Sequence, residues 1–201
     1  MSFLGGVRDY FSARSRAMGA GVLVLVALAV GRVVTDQLPD PRAIGNAPFE
    51  RVVQIGQPAH LRVGDVTVTK VQGGKAWASV SEAKLSPGLW LVADLTFVPT
   101  QPDAAISHVT VREPSGGMWE RGRGTTTCSG GVPGVPMTCH VTVEIPERAM
   151  PGAELVLRWK AGDLRWDDQA VVPLTIDKAT VAQWAAVTEP IKVPNSKVGT
   201  P

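Results

Sequence analysis

A chain of 201 residues, 44% of them apolar, can bury one core of ordinary size, and its 21 glycines and 16 prolines exclude a mainly helical protein and suit a turn-rich β fold. The formal net charge of +2 is unevenly placed: four arginines against one aspartate give residues 1–34 a charge of +3, which leaves −1 on the rest. So neutral a body excludes the electrostatic footprint of a nucleic-acid-binding protein.

Residues 1–16 are read as a cytoplasmic stub. Phe3, Leu4, Val7, Tyr10 and Phe11 recur at helical spacing, with Arg8, Ser12 and Arg14 elsewhere on the wheel. This predicts an interfacial aromatic anchor, with a docking face for another membrane protein's helix as the alternative. Residues 17–34, AMGAGVLVLVALAVGRVV, hold no charge from Ala17 to Gly31. At 1.5 Å per residue the stretch spans about 27 Å, enough for a bilayer core. It predicts a transmembrane signal-anchor helix marked by Ala17, Val22, Leu25, Leu28 and Val34. Arginines precede the span and Asp36 and Asp40 follow it, which places the N-terminus in the cytoplasm and residues 35–201 outside. Ala27-Leu28-Ala29 also fits a cleavage site, so a cleaved signal peptide is the competing expectation.

Residues 35–49, with three prolines, predict an extended linker. A β-sandwich domain is expected over 50–177, built from short runs separated by turn residues: ERVVQIG, AHLRVGDVTVTKVQ ending at Gly73-Gly74, GLWLVADLTFVP, ISHVTVREP, GMWERGRGTTTC, TCHVTVEIP, AELVLRWKA and QAVVPLTID. In GLWLVADLTFVP, Leu89, Leu91, Ala93, Leu95 and Phe97 share one face. The other face is also largely apolar, so this strand should be central in its sheet. No β–α alternation occurs. The fold class expected is therefore all-β, an antiparallel immunoglobulin-like β-sandwich preceded by one N-terminal transmembrane helix, with a barrel as the alternative. The six tryptophans should be core or edge anchors with their N–H groups on polar partners. Residues 178–201 predict a C-terminal tail: a short helix, then an extended, fraying end.

VGDVTVTKV, LSPGLWLVADLTFVP, VTVEIPE and LRWDDQAVVPLTID, in that order, resemble exported actinobacterial membrane proteins of unknown function. Their ectodomain is similar to the immunoglobulin-like sandwich of the secreted mycobacterial immunoprotein (antigen) superfamily. The resemblance covers about residues 50–177. It implies an envelope-exposed sandwich and brings no catalytic residues.

Little in the sequence carries chemistry. His60, His108 and His140 lie on different strands without metal-ligand spacing. No G-x-S-x-G elbow occurs, and Asp167-Asp168 is read as a charged turn. Arg121 and Arg123 in WERGRG form a basic tip that could meet headgroups or an acidic partner. Cys128 and Cys139 are separated by ten residues rich in Gly and Pro. Outside the cytoplasm they should form a disulfide across a hairpin, in preference to a free pair or a metal site. No enzyme activity, cofactor or metal is expected. The function expected is a membrane-anchored extracytoplasmic accessory or interaction module of a membrane or envelope assembly, with the bilayer and a membrane-protein or envelope component as partners. The alternative is a surface receptor for a small ligand, glycan or wall polymer.

Overall fold

The computed structural model describes residues 26–35, 48–160 and 168–199. The chain divides into two units, Met1–Ala47 and Pro48–Pro201. In the first, residues 26–35 form helix α1, with Leu28 and Val34 exposed. Phe3, Val7, Tyr10, Phe11, Ala17, Val22 and Leu25 lie outside the described residues, so only the second half of the expected membrane helix is seen. Among the described residues no helix is long and apolar enough to cross a membrane.

The second unit is a sandwich of two sheets. One has the order β1 (Phe49–Val52), β9 (Asp168–Pro173), β8 (Glu154–Arg158), β5 (His108–Arg112), β6 (Met118–Glu120). The other runs β10 (Ile191–Lys192), β3 (Gly64–Ala78), β4 (Ala83–Pro99), β7 (Met137–Ile145), β11 (Lys197–Val198), with β2 (Pro58–Leu61) also on β3. The sheets are not wholly antiparallel as expected: β1 runs parallel to β9, and β10 runs parallel to β3. Both exceptions are short strands added at sheet edges by segments that enter or leave the domain.

Period-two patterning builds the core. Leu89, Leu91, Ala93, Leu95 and Phe97 of β4 and Met137, Cys139, Val141, Val143 and Ile145 of β7 point inward. They meet Val109, Val111, Leu155, Leu157, Ala170 and Val172 from the facing sheet. Each large side chain so buried contributes roughly 1.5–3 kcal/mol of transfer free energy. β4 lies between β3 and β7, the central place its two apolar faces called for.

Its second face has a core of its own. Trp90 and Val92 pack with Trp77 and with Val193 and Ile191 from the C-terminal segment. Residues 178–199 of that segment are built into the unit. Asp177 caps helix α2 (Lys178–Ala186) by accepting from the Thr180 amide at 2.7 Å. The chain then pairs with one edge of the sheet as β10 and with the other as β11. Gly73-Gly74 is accordingly not a turn. β3 runs on to Ala78, because Gly73 accepts the Trp184 ring and Gly74 lies under Ile191. The absent Cβ atoms serve packing.

Candidate functional site

Cys128 and Cys139 form a disulfide with Cα atoms 5.0 Å apart, and both are buried in the main core. Residues 125–127 pair along β7: Thr127 N–H donates to His140 O at 3.0 Å and Thr142 N–H to Thr125 O at 2.8 Å. The bridge closes the loop that follows, so it is a structural staple with no exposed sulfur.

The histidines do not converge. His60 meets Asp65 at 2.8 Å on the surface, and burial holds His108 below its ordinary value of 6.5, with the charge of Arg158 adding to the effect. His140 is 3% exposed and its Nδ1 lies 2.9 Å from Asp94 Oδ1, across the β4–β7 ladder. Among the described residues no group of three His, Cys, Asp or Glu side chains could hold a metal ion. Asp167 lies outside the described residues. Asp168 is buried and accepts from the Arg62 amide at 2.9 Å, so it closes a loop.

Arg121 is partly exposed, whereas Arg123 is engaged. Arg123 Nε donates to Glu144 Oε2 at 2.9 Å, Nη2 reaches Glu144 Oε1 and the Leu85 carbonyl, and the guanidinium lies over Trp90 at 5.7 Å from the ring centroid. This pairing holds the Glu144 carboxyl below the usual carboxylate range. Trp77, Trp119 and Trp159 are likewise topped by Lys84, Arg148 and Lys160. The expected N–H partners are absent for Trp77, Trp90 and Trp119, whose buried Nε1 atoms have none among the described residues. These rings are held through their faces, by cation–π contact and apolar packing.

The fold assembles a cleft of about 600 Å³ that no local pattern announces, lined by Pro87, Gly88, Trp119, Glu144, Ile145, Pro146, Glu147 and Arg148. It lies where the start of β4, the end of β7 and the following 3₁₀ turn (Glu147–Ala149) face Trp119 on the edge strand β6. Gly88 forms part of its wall because any Cβ there would stand 2.5 Å from Ile145 O. Two of its charges are neutralised within the domain: Glu144 by Arg123 and Glu147 by Lys75. Arg148 is exposed, lies 5.7 Å from the Trp119 centroid, and has no carboxylate partner among the described residues. The cleft therefore offers an aromatic platform, apolar walls and one uncompensated cation. Its size is that of a small-molecule site.

The cleft lies at the end of the sandwich away from where the chain enters. β1 begins at Phe49 opposite Asp168, the first residue of β9, whereas β9 ends at Pro173 opposite Glu154, just beyond the 3₁₀ turn that lines the cleft.

No family model and no curated protein matches the chain. Among solved structures, an uncharacterised β-sandwich protein from Clostridium difficile 630 is similar with a TM-score of 0.45 and 9% identity, over 63% of this chain and 95% of that one. The yjhA protein from Bacillus subtilis is similar with a TM-score of 0.42 and 18% identity, over 60% of this chain and 97% of that one.

Proposed function

We propose that this chain is a non-enzymatic recognition module of the cell envelope. Residues 17–34 hold it in the membrane with the N-terminus cytoplasmic, and the sandwich stands on the extracytoplasmic side, where the Trp119 cleft receives a ligand. The cleft is the observation that carries this reading. It shifts the weight from an accessory subunit docking through strand edges to a receptor domain. Among the described residues the sheet edges are short: β3 is edged by β2 and the two-residue β10, β7 by the two-residue β11 and residues 125–127, and the other sheet ends in β1 and the three-residue β6. The buried disulfide supports an oxidising compartment, and the uncharged run from Ala17 to Gly31 supports the anchor.

Within this reading the domain is immunoglobulin-like. β3, β4 and β7 share one sheet and β5, β6, β8 and β9 the other. Taken in chain order, these strands occupy the places of A, B, C, C′, E, F and G of that fold. The disulfide departs from the pattern, since it joins a loop to β7 within one edge of the sandwich and does not bridge the two sheets. Membership of the immunoprotein superfamily is part of the same proposal.

The test is photo-crosslinking in living cells with the full-length protein. A photoreactive residue replaces Met118, the neighbour on β6 of the cleft's Trp119, or Val80, in the β3–β4 turn and outside the cleft lining. Both positions are exposed, at 53% and 85%. The reading expects a reproducible adduct from position 118 and none from position 80. The same adducts from both, or none from position 118, would overturn it.

A further inference from the structure

We infer that the Trp119 cleft selects a six-membered ring bearing a carboxylate, the chemistry shared by acidic sugars and simple aromatic acids; this rests on the reading of the cleft as a recognition site. The selection follows from the charges at its mouth. Glu144 is held by both arms of Arg123, and Glu147 by Lys75, so neither carboxylate carries a free charge toward a ligand. Arg148 is the one charge left over. Its guanidinium rests on the Trp119 face, its only described contact, and guanidinium and carboxylate match as two parallel N–H···O bonds. An arginine over an indole is weakly hydrated, so it gives up little on turning toward an anion.

The shape of the ligand follows from the walls. Trp119, Pro87, Pro146 and Ile145 present flat or apolar surface, and Gly88 holds the floor close to Ile145. A ring stacks on such a platform, whether by the C–H face of a pyranose or by an arene. A neutral ring would leave the arginine without a partner. A cation would meet Arg148 while the carboxylates that could offset it are already engaged. A free anion with no ring would forgo the stacking area.

The experiment uses the full-length protein in nanodiscs with ¹⁵N-indole-labelled tryptophan, the six resonances assigned through single Trp→Phe variants. It is titrated with glucuronate against glucose, and with benzoate against benzyl alcohol. The acids should move the Trp119 indole signal with dissociation constants on the order of 1 mM, as befits ligands of this size. Arg148→Gln should weaken acid binding at least tenfold, Arg148→Lys should restore part of it, and both variants should retain the wild-type melting temperature because the side chain is exposed. A response to glucuronate alone identifies an acidic sugar, and one to benzoate alone an aromatic acid; either supports the inference. If glucose or benzyl alcohol moves Trp119 as strongly as its acid, and Arg148→Gln changes nothing, the cleft still recognises rings but the selection for carboxylate is wrong. If no ring compound moves Trp119, the recognition reading fails with it.

Discussion

The indole of Trp184 lies directly on Gly73: a Cβ placed on residue 73 would stand 2.1 Å from Trp184 Cε3. Helix α2 buries Val181 and sets Trp184 against β3, and beyond it the chain turns to β10 and β11. The Gly73–Trp184 contact is therefore where the C-terminal segment is fastened to the sandwich. Gly73→Ala should cost about 1–3 kcal/mol by overpacking, read as a lower urea midpoint. In a Trp184→Ala background the same change should cost much less, because the clash has gone; equal costs in both backgrounds would mean the contact is not the fastening.

The Cys128–Cys139 bridge closes a loop with a sequence separation of 11. Replacing both cysteines with serine should lower stability by about 3 kcal/mol through loop entropy, and more where the hydroxyls are left buried without partners. Unfolding of the wild type with and without reductant should reproduce the entropic part, and the serine variant should be indifferent to reductant.

Stability should fall on acidification in two stages. His108 titrates below its ordinary 6.5 when folded, mainly from burial, so the unfolded chain takes up the proton first and stability declines as pH drops below about 6.5. Glu50, bonded to Arg112, and Glu144, bonded to Arg123, titrate below their ordinary 4.5, so their contribution is complete above that value and is lost as pH falls through their folded values. His108→Asn should abolish the first stage and leave the second, measured as urea midpoints between pH 7 and pH 3.

Thr175, just before Asp177 caps α2, holds φ at 51°, a left-handed conformation costly for a β-branched residue. Leu174 N–H donates to Ala153 O and Gly152 N–H to Ile176 O, which fix the backbone on either side. The Thr175 side chain is exposed, so replacing it loses no packing. Thr175→Asn or Thr175→Gly should stabilise by up to about 1 kcal/mol, seen as a rise of several degrees in melting temperature.

The main core was legible in β4: Leu89, Leu91, Ala93, Leu95 and Phe97, which share one face of GLWLVADLTFVP, are all buried in the main cluster. The cysteine pair was legible from the expected compartment and the loop length. The second core was not, because Trp77 lies past a Gly-Gly that reads locally as a turn, and Val193 lies in a segment with no periodicity. Their contact depends on a strap that returns across the sheet, and local patterns do not encode such pairings. The cleft was hidden for the same reason: Pro87, Trp119 and Arg148 are far apart in sequence, and Arg148 reads as an ordinary charged residue before a turn. Arg123 reads as part of a basic tip because its partner, Glu144, is 21 residues away.

The most direct test of the Trp119 cleft as an extracytoplasmic recognition site is hydroxyl-radical footprinting of the full-length protein on intact cells and after purification. Met118 and Trp119 are scored against exposed Val80. The account predicts that Met118 and Trp119 are oxidised several-fold less on cells than in the purified protein, while Val80 is equal in both. Equal oxidation of Met118 and Trp119 in the two preparations, or no labelling of any of the three on cells, would contradict it.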